Sequence, residues 1–289
     1  MNTQNETGVS DAPEQPKPES DLRVRCTVSI LFGIVVLGCL FASEAAWLGL
    51  LIVFCILSWR EWTDMTCKDV DIGTRAWALT ALLTVLITAR VLGFQVSDWQ
   101  NPAVLFGVTA GVWAILWRLF RWRKVPDSHL AALIVPYVGL GLASLLMLRN
   151  DLSDDLMNMS LAPLFVILVV WATDSGAYLI GRKFGRNKLI PRISPKKTVE
   201  GACGGIGAAM LAGLPFAIPF GPVALLLAPL LSVAAQLGDL FESAIKRRYC
   251  VKDSGRLLPG HGGVLDRIDG LLVAAPVLYV LMVVTGFSP

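Results

Sequence analysis

Apolar residues fill this chain in long blocks whose hydrophobicity runs all the way round, with no polar stripe at helical spacing. Nine blocks approach the roughly 20 residues that a helix needs to cross a bilayer. They centre on residues 26–42, 45–59, 76–95, 102–120, 129–148, 161–181, 202–220, 222–241 and 270–287. The pattern predicts an all-α, polytopic integral membrane protein with about nine transmembrane helices. The first two blocks are joined only by "SEA", which predicts a tight antiparallel hairpin, although the second block is short. Ahead of them, "MNTQNETGVSDAPEQPKPESDL" is polar and Pro-rich, and predicts a disordered tail. A secretory signal has a basic start and then an apolar core. Here a polar stretch comes first, so the first block is expected to stay as a membrane helix.

The polar connections choose a side. Lys and Arg concentrate on the cytoplasmic face of membrane proteins. With nine spans, alternate connections share one face, and of the 25 Lys and Arg only Arg90 and Arg149 fall on the other. The connection beside Arg149, "RNDLSDDL", is acidic. The N-terminus is therefore expected in the cytoplasm, and a missed helix would scramble the alternation. Two connections on the basic face, residues 182–200 and 242–269, are longer and richer in Gly and Pro than anchoring requires. They divide the expected organisation into a tail (1–22), a scaffold of membrane helices (23–160) and a catalytic membrane domain (161–289).

Composition adds little beyond this. Only 16% of residues are charged, against about 25% in soluble domains. The net charge of +3 is too small to argue for a nucleic-acid partner. Cys26, Cys39, Cys55, Cys67, Cys203 and Cys250 lack zinc-type spacing and read as small apolar filler.

Four stretches carry candidate chemistry. In "QLGDLFESAIKRR", Gln236, Asp239, Ser243 and Lys246 share one helical face, with Glu242 beside them. Interfacial charge and an ordinary Glu242–Lys246 pair are the plain alternative. In "LPGHGGVLDRIDG", glycines form a turn, and Asp266 and Asp269 share a face at a helix start. Helix capping is the plain alternative, but two carboxylates near Asp239 would suit a hard cation such as Mg²⁺. In "WATDSGAYLIGRKFGR", Asp174 is an acid within an apolar block, which needs a partner or a function; its glycines suit close helix packing. In "ISPKKTVEG", Pro195 is expected to stop regular structure. Lys196, Lys197 and Thr198 then lead into a helix N-terminus, a favourable anion site or a set of membrane anchors. No P-loop, zinc motif or Ser–His–Asp hydrolase motif is present. The class is metal-assisted phosphate chemistry on a substrate held in the bilayer.

These residues resemble the phosphatidate cytidylyltransferases, also called CDP-diacylglycerol synthases. The family's C-terminal signature is matched by Ser243, Lys246, Arg247, Lys252, Asp253, Gly255, Leu258, Pro259, His261, Gly262, Gly263, Asp266, Arg267 and Asp269. "ATDSGAYLIGRKFG", "ISPKKTVEG", "QLGDLFESA" and, after the second span, "SWREW" are also similar to the family. The chain departs in its polar N-terminal stretch and in Val199, where the family has tryptophan.

The resemblance implies that CTP and phosphatidate give CDP-diacylglycerol and pyrophosphate at the cytoplasmic face, with Mg²⁺ as cofactor. Two divalent ions, or one with a monovalent cation, stay open. It implies Asp239, Asp266, Asp269 and Asp174 as metal ligands, and Lys246, Lys252, Asp253 and His261 in the catalytic set. Lys196, Lys197, Thr198, Ser243, Arg247, Arg267, Gly262 and Gly263 would hold substrate. A bacterial inner membrane is the expected location, and the membrane helices leave room for a homodimer. The alternatives are a cytidylyltransferase or kinase for another lipid phosphate or polyprenol, and an anion transporter.

Overall fold

The computed structural model describes residues 20–95, 102–149, 156–258 and 262–285. Residues 1–19 of the tail, and His261 with Pro259 and Gly260, lie outside the described residues. Among the described residues, eight helical runs are long and apolar enough to cross a membrane, and Thr27–Ala42 adds a shorter one. The chain is thus an all-α integral membrane protein, with eight spans at the predicted places and a shorter apolar helix where the first was expected.

Helices α1 (Ser20–Ala42) and α2 (Glu44–Thr66) form the expected hairpin. Ser43 makes the turn by capping α2, its hydroxyl accepting from Ala46 N at 3.0 Å. The second span is longer than its apolar block because α2 continues through "WREWTDMT". Its polar end survives because the charged and indole groups find partners. Trp62 Nε1 donates to Ala131 O at 3.0 Å and Trp59 Nε1 to Arg75 O at 2.8 Å. Helix α3 (Ile72–Gln95) is capped by Asp71. Thr74 donates to Asp71 through its hydroxyl (2.7 Å) and its N–H (2.9 Å), which holds the Asp71 carboxyl below the usual range.

After α4 (Pro102–Trp122), the fifth span is broken into α5 (Ser128–Ala132), a π-helical turn (Val135–Gly139) and α6 (Leu140–Arg149). Pro136 lies in the turn and lacks the N–H a regular helix would use. Such turns recur at functional sites. Here it carries Tyr137, whose ring lies 4.9 Å from Phe241 and 5.8 Å from Trp62, and whose hydroxyl donates to Asp269 O at 3.3 Å.

Helix α7 (Leu156–Phe184) leads into a two-stranded antiparallel hairpin, β1 (Lys188–Ile190) and β2 (Ser194–Thr198). This corrects the reading of "ISPKKT" as irregular: Pro195 sits inside a strand, at the rim of a small sheet where its missing N–H costs nothing. Then follow α8 (Val199–Gly213), a 3₁₀ turn to Ala217, α9 (Ala224–Arg248) and α10 (Leu265–Thr285). As expected from "QLGDLFESAIKRR", α9 runs unbroken out of its apolar block.

The described basic connections meet at one end of the bundle. Arg248 pairs with Asp127 at 3.4 Å, Arg123 stacks on Trp77, and Arg247 Nε donates to Ile193 O at 3.3 Å. The two exceptional arginines lie with the α1–α2 turn at the other end. Arg90 pairs with Glu44 at 2.6 Å, and the buried Arg149 donates from Nε to Leu40 O at 3.1 Å.

Helices α7 and α8 cross closely enough that Gly176 has no space for a methyl group. Its Cβ would overlap Ala208 and stand 2.8 Å from Gly204 O, whereas a Cβ on Gly207, on the open side of α8, would meet nothing. Gly176→Ala should therefore destabilise the protein by about 1–3 kcal/mol, the usual range for overpacking. Gly207→Ala should be neutral or slightly stabilising, since Ala is the better helix former. Thermal unfolding of both variants in detergent checks the pair.

Candidate active site

The end of the last four spans that carries the basic connections encloses a cavity of about 530 Å³. Each wall follows from local sequence. Helix α7 supplies Asp174, about two turns before its exit from the apolar block. The hairpin supplies Lys196 and Lys197. Helix α9 supplies Gln236, Asp239 and Lys246, and the start of α10 supplies Asp266, Arg267 and Asp269. Thr198 and Asp253 complete the set.

The hairpin is fixed at its base. Thr198 caps α8 by accepting from Gly201 N at 3.1 Å, so its hydroxyl is already engaged. Glu200, in the first turn of α8, accepts from Arg186 N (3.1 Å) and from Asn187 Nδ2 (2.8 Å). The strand so held delivers Lys197 to an ion pair with Asp239. Ser243 Oγ donates to the other Asp239 oxygen at 3.3 Å.

Lys246 is the buried cation of the site. It is only 8% exposed, and its Nζ lies 2.6 Å from Asp266 Oδ1 and 3.3 Å from Glu242 Oε2. Glu242 is fully buried. Lys246 is its ion-pair partner, and its carboxyl stands beside that of Asp269. The plain i,i+4 reading of Glu242–Lys246 is right about the pair and wrong about its setting.

Asp266 does two jobs at once. Gly263 N donates to Oδ2 at 2.8 Å and Ser254 N to the same oxygen at 2.9 Å, which is capping, while Lys246 holds Oδ1. Gly262 makes the turn before it with φ of +85°, a conformation natural to glycine.

Asp174, Asp239, Asp266, Asp269, Lys196, Lys197, Lys246, Asp253, Thr198 and Arg267 therefore share one cavity. Ser243 supports it from behind. Arg247 and Lys252 do not line it: Arg247 ties the hairpin to the end of α9, donating to Ile193 O and Val251 O. Gly262 and Gly263 shape the turn without lining the cavity.

Sequence reasoning missed Glu61, in the "SWREW" of α2. It is 6% exposed, and its carboxylate accepts from Val264 N and Leu265 N, each at 2.8 Å, and from Ser254 Oγ at 2.9 Å. The available signals were the family likeness of "SWREW" and an acid between two tryptophans, and neither named a partner 203 positions away.

No three His, Cys, Asp or Glu side chains among the described residues are gathered as a ready metal cage. The donor chemistry nonetheless fits a hard divalent ion. The cavity acids offer only oxygen, and Lys197 and Lys246, each paired with one of them, stand where such acids need positive charge. Mg²⁺ commonly takes one or two carboxylates and completes its shell with water and substrate phosphate, so a closed protein cage is not required.

Residues 23–285 match the cytidylyltransferase family. A phosphatidate cytidylyltransferase of Brucella suis is 36% identical over 271 residues, covering 90% of this chain and 93% of its own. One from Staphylococcus epidermidis is 43% identical over 215 residues, covering 72% and 79%. One from Bacillus subtilis is 53% identical over 123 residues, 41% of this chain and 46% of that one. With the match running from the first span to the last and through every wall of the cavity, this chain belongs to the cytidylyltransferase family.

Proposed function

We propose that the protein transfers the cytidylyl group of CTP to phosphatidate, giving CDP-diacylglycerol and pyrophosphate, at the cytoplasmic face of a bacterial inner membrane. The observation that carries this reading is the single cavity in which five aspartates meet Lys196, Lys197, Lys246 and Arg267 at the ends of membrane helices. The name of the Brucella suis relative, matched over 90% of this chain, favours the same reaction.

In this reaction a phosphate oxygen of phosphatidate attacks the α-phosphorus of CTP. A P–O bond forms there, the bond to the β-phosphate bridge breaks, and pyrophosphate departs. The nucleophile is a phosphate monoester, with a second pKa of about 6 by analogy with phosphoserine. It is largely ionised at neutral pH, so no strong general base is needed. The barrier is charge repulsion and alignment.

The chain's own residues address both. Lys196, Lys197 and Arg267 supply positive charge where phosphates enter. Lys197 has Asp239 as its partner and exchanges it for a phosphate oxygen when substrate arrives. Lys246 stays buried and fixes Asp266. Asp239, Asp266, Asp269 and Asp174 are the residues that would hold Mg²⁺, and Glu242 stands behind them. When bound, the ion would neutralise phosphate charge and hold the triphosphate in line. A lipid phosphate reaches this site along the bilayer and CTP from the water, which is why the cavity belongs at the helix ends.

The purified protein in detergent, given CTP, phosphatidate and Mg²⁺, should form CDP-diacylglycerol. No product with phosphatidate, or product only with another lipid phosphate, overturns the reading. Asp266→Asn should lower turnover by about 10² or more, as loss of a group central to charge stabilisation does, with membrane insertion intact. Radiolabelled CTP incorporation measures it.

Lys197→Ala should raise KM for CTP or phosphatidate more than it lowers thermal stability, because the partly exposed Lys197–Asp239 pair contributes at most about 1 kcal/mol to folding. Lys246→Met should do the reverse. It strands buried acids, costs about 3–5 kcal/mol, and should be partly relieved by added Mg²⁺ in a thermal-unfolding series.

A further inference from the structure

The signature loop and the start of α10 are held from behind by an acid that neither belongs to the signature nor lines the cavity. Helix α10 begins with free N–H groups, as every helix does, and Val264 at its start has no side chain that could cap them. Glu61 of α2 supplies the cap in trans. One oxygen accepts from Val264 N and the other from Leu265 N, both at 2.8 Å, and the second also accepts from Ser254 Oγ at 2.9 Å. A carboxylate at this end also faces the favourable pole of the helix dipole.

Two signature glycines are explained by this contact. A Cβ on Gly255 would come within 2.8 Å of Glu61 Oε1, and one on Gly263 would overlap Glu61 Oε2. The carboxylate therefore fills the space between the two arms of the loop. The same two arms hold Asp266 on their opposite side. Ser254 gives its hydroxyl to Glu61 and its N–H to Asp266, and Gly263 packs on Glu61 while its N–H donates to Asp266. Glu61 and Asp266 thus clamp one short piece of backbone between them. Asp269 lies one turn further along the same helix, so its direction follows from how that helix is capped.

We propose that Glu61 is a positioning residue for cytidylyl transfer: it sets the orientation of Asp266 and Asp269 toward the cavity through the backbone of Ser254 and Gly263, without touching substrate. This rests on the reading of the cavity as the site of that reaction. Glu61→Gln is close to isosteric but turns an N–H₂ donor toward a backbone N–H or toward Ser254, so the clamp loses an arm. The expected result is a fall in kcat of about 10–100-fold, the usual loss for residues that orient ligand groups. KM for CTP should move little, and part of the loss should return as Mg²⁺ is raised.

A second readout needs no turnover. Mn²⁺ affinity, read from the free-ion electron paramagnetic resonance signal of purified protein without substrate, should weaken by a similar factor. Glu61→Asp, which keeps the charge but shortens the reach, should fall between Gln and wild type in both. If Glu61→Gln does not insert or fold, Ser254→Ala removes one contact of the clamp and should show the same Mg²⁺-dependent loss in smaller degree.

Unchanged kcat and Mn²⁺ affinity overturn the inference. So does a loss that follows thermal stability alone and ignores Mg²⁺. A wild-type protein that makes no CDP-diacylglycerol overturns the functional reading instead. In that case the Mn²⁺ titration still decides whether Glu61 orients the acids.

Discussion

Everything at the site depends on how acids are accommodated where water is scarce. Glu242, Asp266 and Asp269 lie together at the meeting of α9 and α10, and an acid removed from water is costly unless a cation or hydrogen bonds compensate. Lys246 is that cation. Its position on α9, one turn beyond Glu242, lets it reach across to Asp266. The pair joins two helices through charge. A second cation in the same role, Lys197, comes from the hairpin and meets Asp239 at the cavity wall. One lysine is buried and structural; the other is accessible and able to leave its partner.

That division explains why a basic connection rich in Gly and Pro takes the form of a sheet. A mobile loop could carry the same lysines but would have to order them against substrate at an entropic cost. The β1–β2 hairpin, anchored by Thr198 and Glu200 at its base, presents Lys196 and Lys197 already ordered. The short connection after α7 is kept close to α8 by the glycine-mediated crossing of those helices, so the cavity's far wall and its basic rim move as one body.

Much of this was legible in the chain because the governing periods are short. The spans followed from block length, and the alternation of basic connections fixed their number. Asp239 with Lys246, and Asp266 with Asp269, were assigned to shared faces by helical spacing alone, and the structure directs all four into one cavity. Asp174 stood out because an acid in an apolar block has few reasons to be there. What spacing could not give was depth. Glu242 has the same i,i+4 relation to Lys246 whether the pair is solvated or wholly enclosed, and only packing against α10 decides. Arg247 matched the signature as well as Lys246 did, yet it projects to the other side of α9 and holds the hairpin. The strand around Pro195 was hidden because a proline at a sheet rim and a proline in a loop leave the same local mark.

Glu61 exposes a deeper limit of the same kind. The first five spans hold little polar chemistry, which makes them read as a scaffold, separate from the residues that react. The structure links them to the site at three points: Glu61 on the amides of α10, Trp62 and Tyr137 in an aromatic stack with Phe241, and the Tyr137 hydroxyl on the Asp269 carbonyl. Each contact is to backbone or to a ring and none is to a reacting group, so none follows from residue type at a spacing. Their common effect is on α10, whose start carries two of the five cavity aspartates. A helix start held only by its own loop frays. One capped by a buried carboxylate from a separate helix cannot shift without moving α2 as well. The early helices thereby determine where the late carboxylates point, and a division of the chain into inert support and active part breaks down at the residues that matter most.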